Sequence, residues 1–452
     1  METKLEKKYG LITAIAMVVG IVIGSGVFFK AEKVLNATGG NLTLGILAWI
    51  IGGIIMISCA YTFAVMATKY EHVNGVVDYA EASMGEKYGY YVGWFMALIY
   101  YPTLTSVLAW VSARYTSVLF GFSITGGECM TIACLFLISS YALNALSPIL
   151  AGKFQVSTTV IKLIPLFLMA IVGTIVGISN GMTVYNFTTI VKEVNTSNAL
   201  FTAVVATAFA YEGWIIATSI NAELKNAKKN LPLALVAGTF IIMLVYILYY
   251  VGLAGAVTNE VMMTGGEAGA KLAFQTIFSD IGGSLIFVFV IISCLGTLNG
   301  LMLGCTRGLY SVAERGFGPK ANIFKQIDSI TNMPTNSSIF GLLLCGIWLL
   351  FFYGANLTEP WFGFFCFDSS ELPIVTIYAL YIPIFINIIK KEKDFNFFNR
   401  YIMPVAALAG CVFMIVAACF SHRMAVVAYL IIFAIVMAIG TMFGQKQISK
   451  SL

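Results

Sequence analysis

Gly20-Ile21-Val22-Ile23-Gly24-Ser25-Gly26-Val27-Phe28 interrupts an apolar run, residues 11–34, that is otherwise long enough to be one membrane helix. A bilayer core takes roughly 20 apolar residues in a helix. Gly24, Ser25 and Gly26 fall about a dozen residues into the run, where glycine costs a helix most. A second stretch, Phe209-Ala210-Tyr211-Glu212-Gly213-Trp214, interrupts the run 198–222 at the matching depth. Unwound backbone at membrane depth survives only where it is buried in protein or lines a wet cavity. Two such interruptions therefore predict a site.

The rest of the chain agrees with a membrane protein. Of its 452 residues 59% are hydrophobic and 10% charged, and the mean hydropathy is +0.90. Soluble domains carry about a quarter charged residues, so a soluble enzyme is excluded. The net charge of +5 is spread through short loops and is no nucleic-acid footprint. Apolar runs predict spans at 11–34, 42–68, 89–120, 128–150, 154–178, 198–222, 232–256, 283–313, 336–354, 361–389, 401–420 and 424–443. The first is too long for a signal-peptide core and has no small-residue cleavage site after it. An even number of spans puts both termini on one side. Lysine and arginine crowd the segments on that side, among them Lys4, Lys7, Lys8, Lys225, Lys228, Lys229, Lys390 and Lys391. The opposite segments hold only Lys30, Lys33, Arg114, Lys192, Lys271 and Arg423. The positive-inside rule then predicts cytoplasmic tails, 1–10 and 444–452, in a cell (inner) membrane. None of the nine cysteines forms a CxxC, and both histidines, His72 and His422, lie near loops, so no metal or cofactor is expected.

Spans one to five (11–178) and six to ten (198–389) each open with an interrupted helix. Each set also has a long third member, 89–120 and 283–313. A unit of five spans is odd, so its second copy enters the membrane upside down, and the site falls at mid-bilayer between the discontinuous helices. The expected fold is all-α, with 12 transmembrane helices, a 5+5 inverted repeat, and helices 11 and 12 (401–443) outside it. Other glycine clusters, such as Gly52-Gly53 and Gly282-Gly283, read as close helix packing.

A break frees amide hydrogens at the start of the second half-helix, where the helix dipole also favours a carboxylate. It frees carbonyls at the end of the first half-helix, which suit an ammonium. Gly24, Ser25 and Gly26 are thus expected to hold a carboxylate. Carbonyls near Val22, Phe209 and Ala210 are expected to hold an ammonium. The solute implied is a zwitterion.

These runs resemble the amino acid–polyamine–organocation permeases, and most closely their L-type amino acid transporter group. Ala222-Glu223-Leu224-Lys225-Asn226-Ala227-Lys228-Lys229-Asn230-Leu231-Pro232 resembles that group's segment after helix six. Ser293-Cys294-Leu295-Gly296-Thr297-Leu298-Asn299-Gly300, through Arg307, resembles its helix eight. The similarity runs in order over about residues 10–320. It implies the fold of the bacterial leucine transporter, alternating access, and sodium-independent handling of L-amino acids, often by obligate exchange. It also implies that Phe209 is a lid over bound substrate. Lys162 would stand where sodium sits in ion-coupled relatives, tying helix one to helix eight, which carries Ser293 and Thr297. Animal members pair with a single-span glycoprotein through an outer-loop cysteine after helix three. Cys129 lies near that place but reads as an ordinary small buried thiol, and no obligate accessory subunit is expected.

Ionisable residues at bilayer depth are costly and by default functional. Lys162 is the clearest, with snorkelling to the inner headgroups as its bland reading. Glu212 is a departure from the resembled pattern, which often has a small or neutral residue there. It could face Lys162, accept the substrate ammonium, select a polar or cationic side chain, or be protonated and silent. Asp368-Ser369-Ser370-Glu371 has capping-box spacing with Pro373 in the first turn, which favours a helix start over proton coupling. Trp49, Trp94, Trp110, Trp348 and Trp361 read as interface anchors or lipid-facing packing.

Gly177-Ile178-Ser179-Asn180-Gly181 matches GxSxG but ends a membrane helix, without the strand-to-helix elbow that motif needs. Residues 265–271 lack the Gly-Lys-Ser/Thr end of a phosphate loop. The expected function is a permease for small neutral L-amino acids such as alanine, serine or threonine, acting by exchange. The alternatives are a proton-coupled symporter, a cationic amino acid or polyamine permease selected by Glu212, and a sensor without transport.

Overall fold

The computed structural model describes residues 10–24, 26–70, 75–217, 224–331 and 333–445. Its regular structure is helical. From the N-terminus come α1 (Leu11–Val22), α2 (Gly26–Ala37), α3 (Leu42–Lys69), the short α4 (Val76–Met84), α5 (Glu86–Phe120), α6 (Gly127–Leu146) and α7 (Ile149–Ser179). Then follow α8 (Thr196–Ala210), α9 (Trp214–Ala217), α10 (Ala227–Ala256), α11 (Asp280–Glu314), α12 (Thr335–Ala355), α13 (Leu372–Lys391), α14 (Phe398–His422) and α15 (Met424–Met442). Among the described residues ten helices are long and apolar enough to cross a membrane, and Leu11–Gly20 and Thr196–Ala210 are shorter apolar helices.

The tenth expected span starts late. Residues 361–371 are not its first turns but an irregular approach, with Trp361 N–H returning to the Gly354 carbonyl at 3.1 Å. Asp368 opens the helix, because its carboxylate accepts the Ser370 N–H at 2.7 Å and the Leu372 N–H reaches its backbone carbonyl at 3.4 Å. The Glu371 carboxylate meets His422 Nε2 at 2.9 Å. The tryptophans also correct the expectation: Trp49, Trp94, Trp110 and Trp348 are at most 8% exposed, and only Trp361, at 55%, is open. A buried indole N–H usually finds a polar partner. Trp348 finds one in the Leu98 carbonyl at 3.1 Å. Pro102, four residues on, has no N–H to offer that carbonyl, and a π-turn over Met96–Tyr100 absorbs the resulting misfit.

The chain divides into two compact units. One gathers residues 10–89, Leu163–Gly283 and Ile374–Ser421. Lipid offers no hydrophobic force between helices, so small residues let them approach. Gly52 of α3 lies against the Thr207 hydroxyl of α8, and Gly238 of α10 against Val18 of α1. Gly173 and Gly177 of α7 meet Gly252 and Gly255 of α10 backbone to backbone, and Gly173 closes a π-turn, Met169–Gly173.

The second unit holds Tyr90–Lys162, Ser284–Pro373 and residues 422–445. A polar ladder links its α6, α7 and α11. Asn144 Nδ2 donates to Asn299 Oδ1 at 2.9 Å, and Asn299 Nδ2 donates to Gln155 Oε1 and to the Ala151 carbonyl, both at 3.2 Å. On α11 and α12, Cys305 and Cys345 bring their sulfurs to 3.4 Å, with the Thr105 hydroxyl 3.0 Å from Cys305 Sγ. Cys129 is buried at the start of α6 and is not in a disulfide.

Candidate functional site

The first helix stops at Val22, Ile23 is extended (φ −64°, ψ 107°), and helix resumes at Gly26. Ser25 lies outside the described residues. The sixth stops at Ala210. Tyr211 and Glu212 turn, and Gly213 at φ +105° re-aims the chain into Trp214, a conformation that suits glycine.

The two interruptions meet. A Cβ on Gly26 would lie 2.5 Å from Ala210 Cα and 3.1 Å from the Phe209 carbonyl oxygen, so only glycine permits this approach. The N-terminal end of α2 thus rests against the C-terminal end of α8. Gly26, Ala210 and Val22 are all buried, and Phe209 is 8% exposed with its ring edge-on to Phe29 at 6.0 Å.

Tyr246 of α10 straps both breaks. Its hydroxyl donates to the Ala210 carbonyl at 3.0 Å and lies 3.4 Å from the Val22 carbonyl. Its ring stacks on Tyr211 at 5.3 Å, and the Tyr211 hydroxyl donates to the Trp49 carbonyl at 2.8 Å. Trp49 stands edge-on to both rings at 5.6 Å. Sequence reasoning missed Tyr246 and misread Trp49. Both lie in the uninterrupted apolar middle of their helices, with no charged residue within a turn to mark them. The carbonyls expected to face an ammonium are already partly engaged: those of Val22 and Ala210 by Tyr246, and that of Phe209 by the Glu212 N–H at 3.4 Å. Each carbonyl keeps a second lone pair.

Glu212 is half-buried beside the break, within electrostatic reach of Cys59 on α3 and of Tyr378 and Tyr381 on α13. An aromatic floor lies next to it. Phe63 meets Tyr381 at 4.8 Å, Phe385 at 5.1 Å and Trp214 at 5.6 Å. Cys59 Sγ is 4.0 Å from Cys411 Sγ on α14.

The other predicted residues belong to the second unit. Lys162 is buried where the hydrogen-bond ladder of α7 falters, after Ile161 and before Pro165. Gln155 faces Asn299, and Thr158 packs on Gly296. The two helices therefore run antiparallel there. Ser293 is buried, and its hydroxyl has no hydrogen-bond partner among the described residues. Thr297 Oγ1 donates to the Ser293 carbonyl at 3.1 Å. Among the described residues no cluster of three or more His, Cys, Asp or Glu could hold a metal.

Comparison with known proteins supplies the family. Residues 9–442 match the amino acid permease family model. The serine/threonine exchanger SteT of Bacillus subtilis is 30% identical over 91% of each chain. The b(0,+)-type amino acid transporter 1 of Oryctolagus cuniculus is 25% identical over 74% of this chain and 68% of its own. The glutamate/serine transporter AimA of Bacillus subtilis is 24% identical over 78% and 67%. The chain, a multi-pass helical membrane protein whose two broken helices meet at Gly26 and Ala210, therefore belongs to the amino acid permease family and is an amino acid transporter rather than an enzyme.

Proposed function

We propose that the chain exchanges small neutral L-amino acids, with serine, threonine and alanine foremost, by alternating access and without sodium. The observation that carries this reading is the contact of the two breaks at Gly26 and Ala210. There the amide end of α2 and the carbonyl ends of α1 and α8 converge on one place. The dipole of α2 favours a carboxylate at Gly24, Ser25 and Gly26. The remaining lone pairs at Val22, Phe209 and Ala210 suit an ammonium. A zwitterion satisfies both sets at once, and Phe209 serves as its lid. The names of two relatives, a serine/threonine exchanger and a glutamate/serine transporter, support a small polar side chain. In the same reading there are 12 transmembrane helices in a 5+5 inverted repeat, both termini are cytoplasmic, and no accessory subunit is required. Lys162 stands in for a coupling cation beside Ser293 and Thr297.

One observation favours a second reading. Glu212 places a carboxyl at the break itself, within electrostatic reach of two tyrosines and a cysteine. That suits proton coupling or a cationic side chain. Uptake of labelled L-serine into proteoliposomes separates the readings. Exchange requires trapped amino acid and ignores sodium. Uptake into empty vesicles driven by an inward proton gradient would replace exchange with symport. Binding without uptake would leave a sensor.

A further inference from the structure

Lys30 is counted from its sequence position among the cations of the outer side, and in the structure it is 0% exposed. It lies one helical turn beyond Gly26, so the two share a face of α2. Gly26 shows where that face points, because its missing Cβ would strike Ala210 and the Phe209 carbonyl. Lys30 accordingly lies over the same segment. Its Nζ is 5.4 Å from the centre of the Phe209 ring and 5.0 Å from that of Phe29. Both fall within the roughly 6 Å reach of a cation–π contact, and burial puts the pair at the strong end of that interaction. Lys33, half-buried, reaches Phe29 at 5.9 Å. A lysine that merely snorkels would aim its amine at water and leave the ring faces to apolar neighbours.

We propose that Lys30 is a positioning residue for the lid, its ammonium holding Phe209 closed against α2 while substrate is bound. This rests on the reading of Phe209 as the lid. The attraction links the two broken helices by a contact that any outward movement of α2 must give up. It therefore weights the closed arrangement before substrate leaves. The apparent affinity rises with the fraction of protein in that arrangement.

The decisive measurement varies the ring's electron density and leaves its shape alone. Mono-, di- and trifluorophenylalanine are placed at position 209 of the full-length protein by nonsense suppression, and binding of labelled L-serine is measured in proteoliposomes. Affinity should fall stepwise with each fluorine, by about two- to thirty-fold across the series. Lys30→Arg should keep that slope, and Lys30→Met should flatten it. A flat series in the native background, with Phe209→Ala still weakening binding, overturns the latch and leaves the lid in place. Phe209→Ala without effect removes the lid, and the latch with it. Native protein that binds none of serine, threonine or alanine overturns both this and the proposed function. Should Lys30→Met fail to reach the membrane, the fluorine series in the native background decides alone.

Discussion

Replacing Gly26 by alanine adds one methyl group at the place where the two interrupted helices touch. The new Cβ would sit 2.5 Å from Ala210 Cα, 3.1 Å from the Phe209 oxygen and 3.2 Å from Ala210 Cβ. Carbon atoms rest at about 3.5–4.0 Å, so the segments have to part by about 1 Å or more. The nearest obstacle is main chain, which no rotamer change relieves. Such overpacking costs about 1–3 kcal/mol of stability. The functional loss is expected to be larger, because a displacement of about 1 Å in groups that position a reactant costs about a hundredfold. The same separation pulls Ala210 away from the Tyr246 hydroxyl. Exchange of labelled L-serine in proteoliposomes reads the effect, with the melting temperature of the purified protein as a folding control. Gly346→Ala is the matched reference, since a Cβ there meets nothing within 4 Å. We expect Gly26→Ala to abolish most exchange in a protein that is folded at the assay temperature. Exchange indistinguishable from that of Gly346→Ala would refute the claim that this contact forms the site.

Three further outcomes follow from the same geometry. Tyr246→Phe keeps the stack on Tyr211 but removes the donor to the Ala210 and Val22 carbonyls, a loss of about 1 kcal/mol. Serine affinity should drop several-fold in equilibrium binding, and unaltered affinity would show that the strap is idle. Glu212→Gln keeps shape and removes charge. Competition by arginine and lysine should weaken about tenfold relative to alanine if the carboxylate is ionised beside the substrate, whereas an unchanged ranking would retire it as a selector of side-chain charge. Lys162→Ala should slow exchange more than it lowers yield or melting temperature, and native-like turnover would remove Lys162 from the coupling position.

The parts legible in the sequence were those in which one residue type breaks a strong pattern. Gly24 and Gly26 stand out in an apolar run, and Glu212-Gly213 in another, so both interruptions could be placed to within a residue or two. The long third spans, 89–120 and 283–313, were equally plain, and the helices Glu86–Phe120 and Asp280–Glu314 have 35 residues each. What stayed hidden depends on tertiary neighbours. Trp49 and Trp348 looked like interface anchors because an indole in an apolar helix suits the headgroup layer as well as the interior. Only the Tyr211 and Tyr246 rings around the one, and the Leu98 carbonyl left over by Pro102 beside the other, decide between them. Lys30 counts only as a cation at the outer end of the first span, and its burial against Phe209 cannot be read from spacing. The apolar run 361–389 overstates α13 because residues 361–367 are as apolar as the helix they precede, whereas the capping signature at Asp368 marks its start.

The glycine seam between α7 and α10 constrains how this protein can move. Where Gly173 faces Gly252 and Gly177 faces Gly255, the two rods touch spine to spine, with no cushion of side chains to shear or repack. A tilt or slide at that crossing would drive main chain into main chain. Any stroke that carries Tyr246, borne on α10, must therefore drag the C-terminal half of α7 with it. The pivots of the cycle have to be sought away from this seam, where helices are separated by a compliant layer of larger residues.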